Sequence, residues 1–278
     1  MNISEWTWKS FDGLDMYGRS WEPEGGPKAL IVLVHGLGEH CARYDHVGAR
    51  LAEKGYALLG FDLRGHGKSG GQRGHTPSFE AFMKDIDSMF TQASARYPGI
   101  PQFIYGHSLG GILVLNYVLR RKPALAGAIV TSPGLRTALE GQKMKVMLAQ
   151  VLGSLLPSGG LASGLDANMI SHDLEVVNRY KQDPLVHDKI SFGMAKYLMD
   201  AIQWAFEHAG EFSIPLLLMH GTADQIAFDR GSREFASKVK SDFVTLKLWD
   251  GYYHETHNEP GREQMLAFLL DWLEKQSS

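Results

Sequence analysis

Six short apolar runs constrain this chain more than any other feature: ALIVLV (residues 29–34), ALLGFD (57–62), QFIYG (102–106), GAIVTS (127–132), PLLLMHG (215–221) and FVTLKLW (243–249). Each is the length of a strand, and most lack polar alternation and end at or beside Gly, Asp, Ser or His. Runs that are apolar on both faces fit the central strands of a parallel sheet covered by helices. Helical patterns lie between them, at 43–55, 79–98 and 231–240, with a terminal helix predicted after Pro260. Strand–helix alternation of this kind implies a doubly wound, mostly parallel α/β sheet. The first ~25 residues, with EWTWKS and LDMYGRSWEP on either side of Asp12-Gly13, read instead as an antiparallel hairpin at one edge.

The rhythm breaks once. From about Arg136 to Glu211 no run reads as a strand; there are only helical patterns and a PSGGLASG loop at 157–164, so an insertion is expected there. Within it Met144, Met147, Leu148, Val151, Leu152 and Leu155 recur at helical spacing, with Lys143, Lys145 and Gln150 off that stripe. Two readings stand: a helix packed on the core, or a lid helix whose apolar face touches a lipid substrate or a membrane surface.

A length of 278 residues suits one large α/β domain, or one domain carrying an insertion. The net charge of −3 and the absence of a basic stretch leave no electrostatic footprint for nucleic acid. The single cysteine, Cys41, excludes an internal disulfide and a multi-cysteine metal site, and is compatible with a reducing compartment. The opening MNISEWTWKS has neither a basic region nor an apolar core, so it does not read as a secretion signal. No apolar run approaches the ~18 residues that would span a bilayer. A cytoplasmic protein is expected.

The chemistry centres on GHSLG, Gly106 to Gly110, where the strand-like QFIY runs into the helical GILVLNYVL. A serine at a sharp strand-to-helix elbow sits in a strained backbone, and glycines two before and two after leave room for the neighbouring strand and helix. Serine is a weak nucleophile and needs a base, which in turn needs an orienting acid. Asp224 follows the apolar run at 215–221, and His254 lies in the loop after the last predicted strand; the chain order Ser, Asp, His is the one α/β-hydrolases use. His257 rivals His254 as the base, and Asp250 rivals Asp224 as the acid, although Asp250 lies only four residues before His254. His107 reads as a support for the turn. Donors for a tetrahedral oxyanion are expected from the backbone N–H groups of Leu37, in the turn His35-Gly36-Leu37-Gly38, and of Leu109, at the start of the helix. The Gly-Lys-Ser of FDLRGHGKS is not a phosphate loop, because the pattern G-x-x-x-x-G-K-S/T ending at Ser69 needs its first glycine where Asp62 stands.

Taken together, HGLGEH, FDLRGHGKSGGQRGH, GHSLGG, HGTADQI and GYYHETHNE resemble the monoglyceride lipase and lysophospholipase branch of the α/β-hydrolases, and the similarity runs over nearly the whole chain. One departure falls in the insertion: relatives often carry Arg-Asp-Pro where this chain has His172-Asp173-Leu174. The resemblance implies an α/β-hydrolase core at 1–135 and 212–278, with a helical cap at 136–211. It implies a triad of Ser108, Asp224 and His254 with oxyanion donors Leu37 and Leu109, in agreement with the residue-level choice. It also puts Glu39, Arg43 and His257 near the pocket for the substrate's alcohol part, although Glu39 and Arg43 could equally form a structural ion pair. The expected function is hydrolysis of a small lipid ester, most specifically a monoacylglycerol, with no metal or organic cofactor, and with transient membrane-surface contact through the cap. The alternatives are a general carboxylesterase, a lysophospholipase, or a non-catalytic receptor built on the same fold. An aminopeptidase is disfavoured, since the cap offers no evident carboxylate pair for a free α-amine.

Overall fold

The computed structural model describes residues 1–138 and 143–277, without the side chains of 143–146, 148 and 149; the Met144 and Leu148 of the expected stripe therefore lie outside the described residues. The described residues form ten strands: β1 (Asn2–Lys9), β2 (Asp15–Glu22), β3 (Ala29–Val34), β4 (Tyr56–Phe61), β5 (Gln102–His107), β6 (Gly127–Thr131), β7 (Gly160–Ala162), β8 (Lys189–Ser191), β9 (Leu216–Gly221) and β10 (Val244–Trp249). The helices are α1 (Asp45–Ala52), α2 (Phe79–Arg96), α3 (Leu109–Arg121), α4 (Lys143–Leu155), α5 (Leu174–Gln182), α6 (Phe192–His208), α7 (Asp229–Lys238) and α8 (Arg262–Gln276). Eight strands form one sheet in the order β1-β2-β4-β3-β5-β6-β9-β10. β1 and β2 make the expected antiparallel hairpin, β2 meets β4 antiparallel, and every later pairing is parallel.

The doubly apolar strands explain the layering. Alternate side chains point to opposite faces, so Leu30, Val32 and Val34 of β3 feed one core with Phe82, Ile86 and Leu113 from α2 and α3. Ile31 and Leu33 feed the other, with Val47 and Leu51 from α1 and Leu269 and Leu273 from α8. A fully buried aliphatic side chain contributes about 1.5–3 kcal/mol relative to an exposed one. Both faces of the central strands therefore resist polar substitution. The parallel strands all run the same way, which brings their carboxyl ends, and the loops after them, to one edge of the sheet.

Between β6 and β9 the expectation of a strand-free segment is corrected: β7 and β8 pair antiparallel, Gly160 with Ser191 through Ala162 with Lys189. Each has three residues and β7 is exposed throughout, so mutual backbone bonding defines them and no hydrophobic pattern marks them. α6 packs beside α3, where the Asn116 side-chain amide donates to the Ala201 carbonyl at 3.2 Å. Backbone contacts tie the segment to the rest. The His187 N–H donates to the Gly38 carbonyl (2.9 Å) and the Ser191 N–H to the Gly74 carbonyl (2.8 Å), while His187 Nε2 donates to the Gly65 carbonyl (3.0 Å). On α4, Met147, Val151 and Leu155 share one face and are 65%, 50% and 73% exposed, so those three do not pack on the core. Among the described residues, no helix is long and apolar enough to cross a membrane.

Candidate active site

Ser108 stands alone between β5 and α3 with φ 52° and ψ −111°, a region that non-glycine residues enter only under strain. Hydrogen bonds on both sides hold it there: its N–H donates to the Thr131 carbonyl (3.0 Å), and its carbonyl accepts from the Ile112 N–H (3.2 Å). The flanking glycines answer a spatial demand. A Cβ on Gly110 would lie 1.9 Å from the Val34 carbonyl oxygen, and one on Gly106 would lie 2.4 Å from the Gly110 carbonyl oxygen. His107 Nδ1 lies 3.0 Å from the Thr131 hydroxyl, which fixes its ring beside the turn.

The Ser108 hydroxyl donates to His254 Nε2 at 2.8 Å, and His254 Nδ1 donates to Asp224 Oδ2 at 2.7 Å. Asp224 only accepts, which assigns the proton to Nδ1 and leaves Nε2 free to take one from serine. Asp224 follows β9, and its Oδ1 accepts the backbone N–H groups of Ile226 (2.8 Å) and Ala227 (3.0 Å). Its Oδ2 receives a second N–H, from His220 Nε2 at 3.1 Å. Burial alone would raise the Asp224 carboxyl, but the neighbouring His254 and the hydrogen bonds from His220 and His254 hold it far below the usual range. Burial would likewise lower His254, yet the charge and hydrogen bond of Asp224 raise it above an ordinary histidine.

The rivals stand elsewhere. Asp250 accepts from the Thr222 hydroxyl at 3.1 Å on the surface. His257 stacks on Tyr44 with ring centroids 4.6 Å apart, and neither of its nitrogens has a hydrogen-bond partner. Burial, reinforced by the nearby His107, pushes its pKa well below the ordinary value.

Leu37 borders the same cavity as Ser108 and His254, and Leu109 opens α3, where the first N–H groups of a helix lack intrahelical acceptors. The turn is held at Gly36 from two directions. His35 Nδ1 donates to the Gly36 carbonyl (2.8 Å), and the Gly36 N–H donates to Glu39 Oε1 (2.6 Å). Glu39 itself pairs with Arg43 Nη1 at 2.6 Å, and Arg43 also grips both oxygens of Glu255 at 2.6 and 2.7 Å. Burial raises the Glu39 carboxyl, and Arg43 offsets only part of that rise. Of the three residues expected at an alcohol pocket, Glu39 borders the cavity, Arg43 lies behind it in this ion-pair cluster, and His257 does not reach it.

That cavity is about 10 Å3, closed by Leu165, Ile170 and Tyr180 from the segment between β6 and β9. It has room for roughly one water molecule. A larger hollow of about 300 Å3 lies outside Arg43 and Tyr180, is lined also by Arg179 and His46, and does not touch Ser108.

Several residues here carry no mark in the sequence. Glu255 reads as one more polar loop residue, His220 is hidden inside an apolar strand, and Ile170 and Tyr180 come from a distant segment. His172, at the departure from the Arg-Asp-Pro pattern, places Nδ1 3.0 Å from Glu259 Oε1 and stacks on Tyr253 at 3.6 Å.

Comparison with known proteins agrees with this architecture. Residues 25–261 match the family described as serine aminopeptidase, S33. An uncharacterized abhydrolase domain-containing protein of Dictyostelium discoideum is 44% identical over 259 residues, covering 92% of this chain and 27% of that longer protein. A monoacylglycerol lipase of Mycolicibacterium smegmatis is 34% identical over 271 residues, covering 97% of this chain and 96% of the lipase. Among solved structures, the monoacylglycerol lipase of Paleococcus ferrophilus superposes with a TM-score of 0.84 at 35% identity, over 99% of this chain and 100% of that one.

Proposed function

The chain belongs to the serine aminopeptidase S33 family of α/β-hydrolases, in the branch of its monoglyceride lipase relatives, and from that premise we propose that it is a monoacylglycerol lipase acting through Ser108, His254 and Asp224. The observation that carries the reading is the unbroken Ser108–His254–Asp224 hydrogen-bonded chain at the elbow, with contacts of 2.8 and 2.7 Å.

In this mechanism His254 Nε2 takes the hydroxyl proton as Ser108 Oγ attacks the ester carbonyl, and Asp224 stabilises the imidazolium that forms. The Leu37 and Leu109 N–H groups receive the oxyanion. Protonated His254 then gives its proton to the departing alcohol, leaving an acyl-serine. A water activated by the same imidazole hydrolyses that ester and returns the enzyme.

We read residues 136–211 as the cap of a core formed by 1–135 and 212–278. The small cavity at Ser108 supports a closed cap, so an acyl chain enters only once Ile170 and Tyr180 have moved. The exposed face of Met147, Val151 and Leu155 fits a lipid surface, which would bring the cap to its substrate. Arg43 pairs with Glu39 and Glu255 from behind the cavity, whose described lining has no lysine or arginine to meet an anionic phosphate headgroup, so monoacylglycerol is preferred to a lysophospholipid. A general carboxylesterase is the second reading, supported by the scarcity of fixed polar groups that would discriminate one neutral alcohol from another. The family's name suggests an aminopeptidase, but both carboxylates at the cavity are committed to Arg43. A receptor would have no need of the intact chain at Ser108. Cys41, buried and without a disulfide partner, fits a cytoplasmic location.

A hydrolysis series tests this. Monoacylglycerols, lysophospholipids and p-nitrophenyl esters of several acyl lengths are compared with wild-type protein and Ser108→Ala, alongside a fluorophosphonate probe. Monoacylglycerols should be hydrolysed best, Ser108 alone should be labelled, and Ser108→Ala should be inert. Near-wild-type activity in Ser108→Ala, or no labelling, refutes the assignment.

A further inference from the structure

His220 sits on β9, fully buried, one turn of chain before Asp224. Its Nε2 faces Asp224 Oδ2 at 3.1 Å and the Ala227 carbonyl at 2.9 Å. Both of these atoms only accept, so Nε2 carries the proton and shares it between them. On the other side Nδ1 lies 2.7 Å from the Ser232 hydroxyl on α7. With the proton on Nε2, Nδ1 accepts from the hydroxyl, which polarises the ring and strengthens Nε2–H as a donor. The hydrogen-bonded chain at Ser108 therefore does not end at the acid: it runs Ser108, His254, Asp224, His220, Ser232.

The contact is selective in its chemistry. Oδ2 is the oxygen that receives His254 Nδ1–H, so His220 acts on the atom that sets the basicity of His254. Oδ1 is already engaged by two backbone amides. Together four N–H donors hold the carboxylate, and only those from the two histidines are side chains. A carboxylate oxygen that shares its charge with a second N–H binds the imidazolium less strongly. Packing alone needs no such arrangement, because a phenyl ring would fill the same volume.

Resting on the catalytic reading above, we propose that His220 is a positioning residue that orients Asp224 and moderates the basicity of His254, with the Ser232 hydroxyl strengthening its Nε2–H as a donor. Removing the Nε2 donor while keeping ring volume should free Oδ2 for His254 alone and raise the imidazolium's stability. The imidazole must be neutral to accept the serine proton, so the acid limb of the kcat/KM profile moves to higher pH.

The test compares His220→Phe, His220→Gln and Ser232→Ala with wild-type protein, reading pH profiles of p-nitrophenyl ester hydrolysis and thermal melting. The glutamine amide can restore an N–H near the Nε2 position; phenylalanine cannot. His220→Phe should move the acid limb up by about one pH unit, the scale of one hydrogen bond to a charged group. Its kcat should fall on the order of tenfold. His220→Gln should recover most of both losses, and Ser232→Ala should shift the limb in the same direction by less. An unmoved acid limb in His220→Phe overturns the proposal, as does a glutamine variant impaired as deeply as the phenylalanine one. Should His220→Phe fail to fold, the profile of Ser232→Ala decides alone: no shift refutes the role. Absence of ester hydrolysis in wild-type protein would instead refute the catalytic reading, and the two failures cannot be confused.

Discussion

Replacing Arg43 by methionine should destabilise this protein far more than an ordinary change of charge. The Arg43, Glu39 and Glu255 side chains are 9%, 3% and 4% exposed, so the variant leaves two carboxylates buried without their cation. Breaking a buried pair from one side costs about 3–5 kcal/mol. Part of that is recovered locally, since Glu39 keeps the Gly36 N–H and the Tyr44 hydroxyl (3.0 Å), and Glu255 keeps the Asn258 amide (2.7 Å). Methionine loses the cation that Arg43 holds 4.6 Å from the Tyr180 ring centroid, but its thioether can occupy that place over the ring. The lower end, about 3 kcal/mol, is therefore expected, or a fall in Tm of about 5 °C for a chain of this length. The pH dependence identifies the cause. Burial already raises the Glu39 carboxyl and Arg43 opposes that rise, so in the variant its folded-state pKa would climb further above the unfolded one; its stability term is intact below the unfolded value and is lost as pH rises through the folded one. The gap to wild type should be smallest near pH 4–5, where Glu39 is protonated, and widen toward pH 8. Differential scanning calorimetry across that range measures it. A gap below about 1 kcal/mol at pH 8, or one that widens on acidification, would falsify the account.

Two further outcomes concern the triad directly. His254→Ala should lower kcat by several orders of magnitude while His257→Ala lowers it far less, because His257 never reaches Ser108; stopped assays of both variants on one ester decide it, and the reverse order would exchange their roles. Asp224 raises His254 above the ordinary histidine value near 6.5. The acid limb of kcat/KM should therefore have its midpoint above that value, with activity lost below it as His254 becomes protonated; a midpoint below 6.5 would contradict the geometry.

The parallel strands other than β10 were readable because they are apolar on both faces, a pattern that leaves little alternative for runs of five or six residues. The strand boundaries at 29–34 and 102–107 differ from the expected ones by at most one residue. The meeting of Asp224 and His254 with Ser108 was readable for a related reason: a parallel sheet gathers the loops after its strands at one edge, so an Asp and a His one loop beyond their strands become neighbours of the elbow. β7 and β8 were hidden because runs of three residues are too short to show a periodicity. Glu255 and His220 were hidden because their significance lies in partners 212 and 4 positions away, seen only when the chain is folded. Ile170 and Tyr180 were hidden for the same reason. The apolar stripe on α4 was visible, yet its spacing alone could not say which way Met147, Val151 and Leu155 point.

The mount that joins the segment between β6 and β9 to the sheet is separate from the residues that close over Ser108. Gly38, Gly65 and Gly74 each offer a carbonyl, and two of the three donors that meet them are backbone amides. α6 adds Met194, Ala205 and Phe206, which are buried in the core on one face of the sheet. The Ile170 and Tyr180 side chains at the cavity belong to neither set of contacts. Changes in what those two present to Ser108 therefore leave these anchors in place, so the cavity wall can vary while the segment stays attached.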